Sequence, residues 1–498
     1  MFKNPLLTVA VAMTIGVAVW GIYDTPGLTD FAANYVEIAF RSRGWFIMLT
    51  ASIMLISSIA LAVSKYGKVV LGEEGESPEF STTSWMAMMF AAGMGVGLLF
   101  YGAAEPISHY LAFSRSGVGP EKAASMAMLL TDFHWGLHAW AIYGLTGLVI
   151  AYFGFCRGTP QLISAPLVSV FGDRPLPRRI GWLMDLLSIY AIAIGLAGSV
   201  AMGVFQVQDG VAALFEIDMA SMRYSLIIFG ILFAVYMVPL TMDLSKGMAS
   251  LSNIAVGLAV CLMVYLLLVG PTSFLMNGIV EAIGQYFTQV IPHGFMTYTF
   301  YDEDVRGWFS AWSLNYMVWW LAWAPFVGVF IARISRGRTI REFIVGVLIA
   351  PTVFSIFWFG IFGGMAFYQG AASKIDPVVV ETRINQTTFI LLDTLPLSTI
   401  TIVVTIIAAF LFIVTSVVSA AYVLSMFSEG GSQNPSVKVK LIWGGILGAL
   451  GLAMILSNSV DAVRQIIAMS AGPFVFIVLV LLVCLVKALK EDVGETDG

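Results

Sequence analysis

Long apolar runs alternate with short polar segments along almost the whole chain. Each run is roughly 20 residues long, the length that an α-helix needs to cross the hydrocarbon core of a bilayer. Charged residues fall mainly in the segments between the runs. The pattern predicts an all-α polytopic membrane protein with twelve transmembrane helices, in the ranges 5–24, 45–65, 83–104, 125–153, 181–207, 224–242, 249–270, 307–332, 342–368, 397–427, 440–457 and 468–488.

The composition excludes a soluble protein. Of the 498 residues, 59% are hydrophobic and 11% are charged. A soluble chain of this length has no interior large enough for so much apolar surface. The lipid bilayer is therefore an expected partner, and nucleic acid is not. The cysteines lie far apart in the sequence, which fits neither a disulfide framework nor a zinc site, and we expect no cofactor.

One apolar stretch, 276–291, is too polar to cross a membrane. It is typical of an amphipathic helix that lies in the membrane interface. The predicted organisation is two N-terminal helices with a linker (1–82), a first repeat (83–275), the interfacial helix with an external loop (276–306), a second repeat (307–490) and a short cytoplasmic tail (491–498).

The lysines and arginines of the loops concentrate on one side of the membrane. One basic loop follows the predicted eighth span and carries Arg333, Arg336, Arg338 and Arg341, whereas the loop before that span is acidic at 302–304. Basic loops mark the cytoplasmic side of a membrane protein. We therefore expect a multi-pass protein of the cell inner membrane with both termini in the cytoplasm.

Two predicted spans contain residues that interrupt helices. The third span carries Gly93, Gly95 and Gly97, and the eighth carries Pro325 and Gly328. Because the two spans are an odd number of spans apart, they cross the membrane in opposite directions. Helix breaks at corresponding places of inverted repeats are typical of the binding site of a secondary transporter. The alternative role for these glycines is close helix packing.

Tryptophan is concentrated around the predicted break in the eighth span, at Trp312, Trp319, Trp320 and Trp323. The electron-rich face of an indole ring attracts cations, and quaternary ammonium groups in particular. The segment therefore indicates a site for an apolar cation. We expect Trp319 to face packing neighbours instead.

The fourth span supplies further rings. At about 100° per residue, Trp135, Trp140 and Tyr143 project from the same side of one helix. With Trp320 or Trp323 they are predicted to close an aromatic cage around a methylated cation. The alternative for such rings is a place in the aromatic belt at the membrane interface.

Three polar residues of the fourth span are candidates for chemistry. His134 and His138 have a spacing that suits zinc, but no carboxylate or third histidine is suitably placed nearby, so packing histidines are favoured. Asp132 lies one turn before Trp135 and is a candidate substrate-binding group, because carboxylates inside membranes are usually functional. An acid in the first turns of a helix is also favoured by the helix dipole. Both interpretations of Asp132 stay open.

The tenth span contains Thr415 and Ser416 in an otherwise apolar run. Hydroxyl and carbonyl oxygens are the ligands that a hard cation such as Na⁺ prefers. The alternative is that the hydroxyl groups bond to carbonyl groups one turn earlier in the same helix. The two residues alone do not decide between these interpretations.

Three long motifs carry a resemblance to a known family. They read F-A-A-G-M-G-V-G-L-L-F-Y-G-A-A-E-P (90–106), F-H-W-G-L-H-A-W-A-I-Y (133–143) and W-W-L-A-W-A-P-F-V-G-V-F-I-A-R-I-S-R-G-R-T-I-R-E-F (319–343). With the linker at 73–85, they make the chain resemble the betaine/choline/carnitine transporter family over nearly its whole length. The resemblance implies two inverted five-helix repeats, the LeuT-like arrangement, preceded by two extra helices. It also implies assembly as a homotrimer.

The resemblance further implies positions for substrate and sodium. The aromatic box of the family maps onto Trp135, Trp140, Tyr143 and Trp320, with Trp323 along the substrate pathway. The sodium site of sodium-coupled members maps onto the backbone of Ala91, Met94 and Phe412 and the hydroxyl groups of Thr415 and Ser416.

The chain departs from the family pattern in two places. A second sodium site in betaine symporters uses paired threonines in the fifth span, where this chain offers only Ser199 within 191–203. Gly97 stands where choline-type members place an aspartate, which favours a zwitterion over bare choline.

The predicted function is sodium-coupled import of a methylated onium zwitterion, glycine betaine or a sulfonium analogue such as dimethylsulfoniopropionate, by alternating access. The substrate carboxylate is expected to face backbone N–H groups freed by the break in the third span. The alternative is a sodium-independent exchanger or uniporter of the carnitine or choline type. A membrane osmosensor or receptor is the alternative from another class. No pairing of nucleophile and base indicates an enzyme.

Overall fold

The structure is a computed structural model that describes residues 4–73, 75–93, 95–241, 245–371 and 384–496. These described residues form helices. Among them, one β-bridge pairs extended backbone, between Val70 and Thr339. The α-helices are α1 (Pro5–Tyr23), α2 (Thr25–Val63), α3 (Thr82–Gly93), α4 (Val96–Tyr101), α5 (Ala104–Arg115), α6 (Pro120–Trp135), α7 (Leu137–Phe155), α8 (Ala165–Phe171), α9 (Pro175–Phe215), α10 (Met222–Leu240), α11 (Ser245–Val269), α12 (Thr272–Gly294), α13 (Glu303–Phe309), α14 (Asn315–Arg333), α15 (Ile340–Ala371), α16 (Thr387–Asp393), α17 (Ser398–Ser428), α18 (Val437–Ile455), α19 (Val460–Ala471) and α20 (Phe474–Thr496).

The all-α polytopic class is confirmed. Within the described ranges, 10 helical stretches are long and apolar enough to cross a membrane, or 11 if α19 and α20, which meet at a 42° bend, form one span. The third predicted span is divided between the short helices α3 and α4. Gly95 precedes α4, and Met94 lies outside the described residues. The number of twelve spans stays a prediction.

The second predicted span belongs to a longer helix, because α2 starts at Thr25, well before residue 45. Leu28, Ala32 and Val36 recur every fourth residue in this part of α2 and are buried. Arg41 on the same helix is exposed. A narrow buried stripe is enough to hold a helix against its neighbours. The mean hydropathy of this first part of α2 is nevertheless below that of a membrane span.

Helix α12 confirms the helix that the sequence predicts over 276–291. Its buried residues follow one stripe, formed by Leu275, Ile279, Ala282, Tyr286 and Val290. The helix packs against α6 and α15, and its other side is exposed. Its place in the membrane interface stays a prediction.

Helices α7 and α14 approach each other closely where two glycines meet. A Cβ atom at Gly147 would lie 3.0 Å from the carbonyl oxygen of Gly328, and one at Gly328 would lie 3.0 Å from the backbone nitrogen of Gly147. Small residues allow helices inside membranes to pack this tightly. The contact fixes the position of the tryptophan-rich helix α14 relative to the fourth span.

The break predicted at Pro325 and Gly328 is wrong, since α14 runs without interruption from Asn315 to Arg333. A proline removes one N–H group, and membrane helices tolerate this loss when neighbouring helices surround them. Gly328 serves the packing alternative through its contact with Gly147. The eighth span is irregular earlier, in a π-helical turn at Ser310–Leu314.

Candidate functional site

The fourth span is broken at Gly136, which the sequence analysis treats as part of one continuous helix. The backbone of Gly136 has φ −102° and ψ −138°, and it separates α6 from α7. A Cβ atom at Gly136 would lie 2.1 Å from the hydroxyl oxygen of Tyr286 in α12. Glycine is therefore the residue that lets this hydroxyl group reach the break.

The backbone groups freed by the break have side-chain partners. The N–H of Leu137 donates to the hydroxyl oxygen of Tyr286 over 2.6 Å. The indole N–H of Trp320 donates to the carbonyl oxygen of His134 over 2.8 Å. Because buried backbone groups cost free energy when unpaired, these two bonds stabilise the break and orient Trp320 across it.

The four rings predicted for the aromatic box form a connected chain of buried contacts. The ring centroids of Trp135 and Trp320 are 5.1 Å apart, those of Tyr143 and Trp320 are 5.8 Å apart, and those of Trp140 and Tyr143 are 5.6 Å apart. Each pair meets edge to face, the favourable geometry for aromatic rings. The prediction that the rings of the fourth span share one helix is wrong, since Trp135 ends α6 whereas Trp140 and Tyr143 lie in α7.

A cavity lies beside this chain of rings. Trp135, Trp319, Trp320 and Trp323 form its aromatic wall, so the expectation that Trp319 only packs is wrong. Trp140 and Tyr143 do not line it. The volume that the centres of water molecules can occupy in this cavity is only about 30 Å³, which is room for a few waters. A methylated onium group therefore requires the rings to separate.

The glycines of the third span meet this wall. Gly95 lines the cavity and has extended backbone at the start of α4. A Cβ atom at Gly97 would lie 2.9 Å from Cη2 of Trp135. Gly97 is therefore needed for Trp135 to occupy this position, and an aspartate does not fit there. Gly93 ends α3.

Trp323 lines the cavity and carries an unpaired donor on the edge of its ring that meets α9. Its indole nitrogen is buried and has no hydrogen-bond partner among the described residues. The ring passes close to Gly195 of α9, where a Cβ atom would lie 3.2 Å from this nitrogen. A buried N–H group without a partner is costly, so it is a donor that an acceptor group on a ligand would satisfy.

Two residues of the predicted sodium site reach the cavity from α17. Phe412 and Ser416 line it together with Gly95, and a Cβ atom at Gly95 would lie 3.8 Å from the hydroxyl oxygen of Ser416. The hydroxyl group of Thr415 instead donates to the carbonyl oxygens of Leu411 and Phe412, over 3.0 Å and 3.1 Å.

The other predicted sodium ligands lie in the third span. Ala91 belongs to α3, and Met94 lies outside the described residues. The sodium site therefore stays a prediction, with α17 and the start of α4 as its two described sides.

A carboxylate that the sequence pattern does not indicate lies beside His134. Helix α5 packs against α6, and Oε1 of Glu105 lies 2.7 Å from Nδ1 of His134. Glu105, His109 and His134 have possible metal-ligating atoms within 4.8 Å of one another. The glutamate is the next-to-last residue of the motif at 90–106, but no spacing in the sequence shows that it folds back onto the fourth span.

Hydrogen bonding at His109 disfavours a metal ion in this cluster. The indole N–H of Trp308 donates to Nδ1 of His109 over 3.1 Å. The ring proton of neutral His109 is then on Nε2, the atom that faces Glu105. A protonated nitrogen has no lone pair for a metal. His138 lies apart from the cluster, with Nε2 3.4 Å from the hydroxyl oxygen of Ser52.

Asp132 does not reach the cavity. Its side chain is fully buried in α6, and neither carboxylate oxygen has a hydrogen-bond partner in the described part of the chain. The structure therefore does not bring Asp132 together with the other predicted substrate-binding residues.

The chain is similar to transporters over nearly its whole length. Residues 5–494 match the family described as "BCCT, betaine/carnitine/choline family transporter". The chain is 38% identical over 490 residues to the glycine betaine transporter OpuD of Bacillus subtilis, covering 98% of this chain and 94% of the relative.

Other relatives carry different substrates in their names. The chain is 34% identical over 457 residues to the ectoine/hydroxyectoine transporter of Virgibacillus pantothenticus, covering 91% of this chain and 90% of the relative. It is 34% identical over 475 residues to the high-affinity choline transport protein of Escherichia coli, covering 93% of this chain and 69% of the relative. These proteins are transporters, which agrees with the prediction that the chain is not an enzyme.

Proposed function

The chain belongs to the betaine/carnitine/choline (BCCT) family of transporters, and we propose that it imports a methylated onium zwitterion together with sodium by alternating access. The substrate is glycine betaine or a sulfonium analogue such as dimethylsulfoniopropionate. The observation that carries the proposal is the chain of four aromatic rings beside a cavity that is itself walled by tryptophan rings.

The rings supply the attraction for the onium group. A cation over the face of a desolvated aromatic ring gains about 0.5–2 kcal/mol. In the present conformation Trp135 and Trp320 pack edge to face on each other, so their faces are partly covered. Entry of the substrate is proposed to separate these rings, which makes the aromatic chain part of the conformational change as well as part of the binding site.

The carboxylate end of the substrate needs hydrogen-bond donors. Trp323 lines the same cavity as Gly95, and its indole N–H, which has no partner among the described residues, is proposed as one such donor once the rings have moved. Bonds from N–H donors to a carboxylate are among the stronger hydrogen bonds. The lack of space for a side chain at Gly97 supports a zwitterion, since a substrate with its own carboxylate needs no aspartate there.

Sodium is proposed to link α17 to the broken third span. The carbonyl group of Phe412 and the hydroxyl group of Ser416 lie on the α17 side, and the backbone of Ala91 and Met94 is proposed to complete the site. An ion between two helices favours the conformation in which they are close. Binding free energies that are coupled in this way are reciprocal, so sodium tightens substrate binding and substrate tightens sodium binding.

The remaining features are proposed from the loop charges and the family. The protein is placed in the cell inner membrane with both termini in the cytoplasm. It is proposed to assemble as a homotrimer. Neither property enters the description of the binding site.

A sodium-independent exchanger of the carnitine or choline type is the second candidate. The observation that favours it is the hydroxyl group of Thr415, which bonds to two carbonyl oxygens of its own helix. A hydroxyl oxygen that donates in this way is still able to accept or ligate, so the bond weakens the sodium proposal without excluding it.

Uptake into proteoliposomes tests the proposed coupling. Radiolabelled glycine betaine, dimethylsulfoniopropionate, carnitine, choline and ectoine are supplied with an inward gradient of Na⁺ or of K⁺. We expect concentrative uptake of a zwitterionic onium compound with Na⁺ only. Equal uptake in both salts would refute sodium coupling and favour the exchanger.

A tryptophan variant tests the aromatic site. Trp320→Leu removes one ring and the bond to the carbonyl oxygen of His134. We expect it to weaken glycine betaine binding at least tenfold, about 1.4 kcal/mol, which is the size of a desolvated cation–π contact. Trp182→Leu, at a partly exposed position of α9, is the matched control. Wild-type affinity in folded Trp320→Leu would contradict the cage.

A further inference from the structure

Glu105 accepts hydrogen bonds from four side chains. Its Oε2 accepts from the indole N–H of Trp135 over 2.8 Å and from the hydroxyl group of Tyr316 over 2.5 Å. Its Oε1 lies 2.7 Å from Nδ1 of His134 and 3.2 Å from Nε2 of His109. The glutamate side chain is fully buried. Each carboxylate oxygen therefore has two hydrogen-bonding partners.

An ionised carboxylate fits this arrangement. A carboxylate has about four acceptor positions and no donor, and it matches four donors without conflict. An amide of the same shape has an acceptor at one end and a donor at the other. Because Trp308 donates to Nδ1 of His109, that ring must direct its N–H group at Glu105.

Two of the four donors are walls of the cavity. Trp135 and Tyr316 both line it, and their ring centroids are 5.6 Å apart. Tyr316 also stacks on Trp320, with centroids 5.7 Å apart and an angle of 26° between the rings. One carboxylate therefore holds the edges of two rings whose other surfaces face the substrate space.

Three of the four bonded partners of Glu105 carry no positive charge. Tryptophan and tyrosine are neutral donors, and His109 is neutral in the tautomer that Trp308 imposes, while His134 lies between Glu105 and the hydroxyl group of Ser313. Arg464 is a buried cation of this region, but its guanidinium lies over the ring of Trp312, donates to the carbonyl oxygen of Ala311 and lies 3.6 Å from a carboxylate oxygen of Asp461. A buried charge in a medium of low dielectric acts over longer distances than an exposed one.

We propose that Glu105 is a positioning and specificity-determining residue: it fixes Trp135 and Tyr316 from behind and supplies the fixed negative charge that favours a cationic head group. This inference rests on the proposed function for the identity of the ligand. It gives the site a counter-charge at a position other than Gly97. The fixing of Trp135 is a property of the protein without ligand.

Binding of two matched ligands tests the charge. Glycine betaine and its carbon isostere 3,3-dimethylbutanoate, which has an uncharged tert-butyl head, are titrated calorimetrically into the purified full chain. We expect Glu105→Gln to reduce the preference for glycine betaine over the isostere by about tenfold or more, as for loss of charged hydrogen-bond partners. Tyr316→Phe removes one donor but keeps the charge, so the preference is expected to stay within about threefold of wild type.

Folding is checked by size-exclusion chromatography and by the melting temperature in detergent. A folded Glu105→Gln protein with the wild-type preference overturns the charge role. If that variant does not fold, Glu105→Asp replaces it. The aspartate keeps the charge but withdraws the carboxylate, so we expect weaker binding of both ligands with the preference retained. Loss of the preference in Glu105→Asp also overturns the proposal.

A measurement without ligand tests the positioning. Ultraviolet resonance Raman bands report the strength of indole hydrogen bonds, and the wild-type spectrum minus that of Trp135→Phe isolates Trp135. The same difference taken in a Glu105→Gln background is expected to show a weaker bond, because charged acceptors bind more strongly than neutral ones. An unchanged difference spectrum overturns the positioning role. If wild type binds neither ligand, the proposed function fails while this spectrum still decides the role of Glu105.

Discussion

Glycine has opposite effects in the fourth and eighth spans. The fourth span breaks at Gly136, with no proline between Glu121 and Phe155. The eighth span contains both Pro325 and Gly328 and continues through them as α14. The residue types alone therefore predict a break in the eighth span, whereas the structure has it in the fourth.

The difference lies in what surrounds each glycine. At Gly136, Tyr286 accepts from one freed backbone group and Trp320 donates to another. At Gly328 the neighbour is the backbone of α7, which fills the space without offering such a side chain. A break inside a membrane needs partners for the groups that it frees. Partners from other helices, rather than local flexibility, decide where a span opens.

The largest expected effect comes from Gly136→Ala. The new Cβ atom would lie 2.1 Å from the hydroxyl oxygen of Tyr286 and 2.5 Å from the carbonyl oxygen of Asp132. Because the second atom belongs to the backbone, the break itself must move. We expect a loss of stability of about 3 kcal/mol or more, measured as a lower melting temperature in detergent, with loss of substrate binding.

The double variant Gly136→Ala/Tyr286→Phe sharpens this prediction. Tyr286→Phe alone leaves the N–H of Leu137 without its partner and is expected to cost about 1–3 kcal/mol. In the double variant the closest contact is gone, so the combined loss is expected to be smaller than the sum of the two single losses. Additive losses in this cycle would show that the hydroxyl group is not what the glycine accommodates.

A smaller effect is expected from Gly328→Ala. Its Cβ atom would meet the backbone nitrogen of Gly147 at 3.0 Å and Cγ2 of Thr146 at 3.1 Å, so α7 and α14 must separate slightly. We expect a stability loss of about 1–2 kcal/mol and weaker binding, because α14 carries Trp320. Gly445→Ala in α18, where a Cβ atom meets nothing within 4 Å, is the matched control. Equal behaviour of the two variants would contradict the packing role of Gly328.

Sequence reasoning finds most rings of the site but not their arrangement. Trp135, Trp140, Tyr143 and Trp320 are brought into one connected chain, because residue type and approximate spacing are enough to mark them. The break between Trp135 and Trp140 is not predictable in the same way. It depends on Tyr286, which lies on another helix far along the chain.

Glu105 shows the same limit for polar groups. Its four partners come from α5, α6 and α14, so no local pattern reveals that they meet. The apolar runs of the spans, in contrast, follow from the bilayer itself and are largely recovered. Periodicity predicts elements, whereas a buried hydrogen-bond network depends on contacts between elements.

The smallest expected effect comes from Pro325→Ala. This variant tests most directly whether Pro325 breaks the helix. Since α14 is already continuous through Pro325, alanine adds one N–H group opposite the carbonyl of Leu321 and removes the proline ring. We expect a change in stability below about 1 kcal/mol in either direction, with glycine betaine affinity within about threefold of wild type. Melting temperature and calorimetric titration measure both quantities. A large loss of binding would mean that Pro325 bends α14 in a conformation that transport requires, and the contrast between the two spans would then hold for this conformation alone.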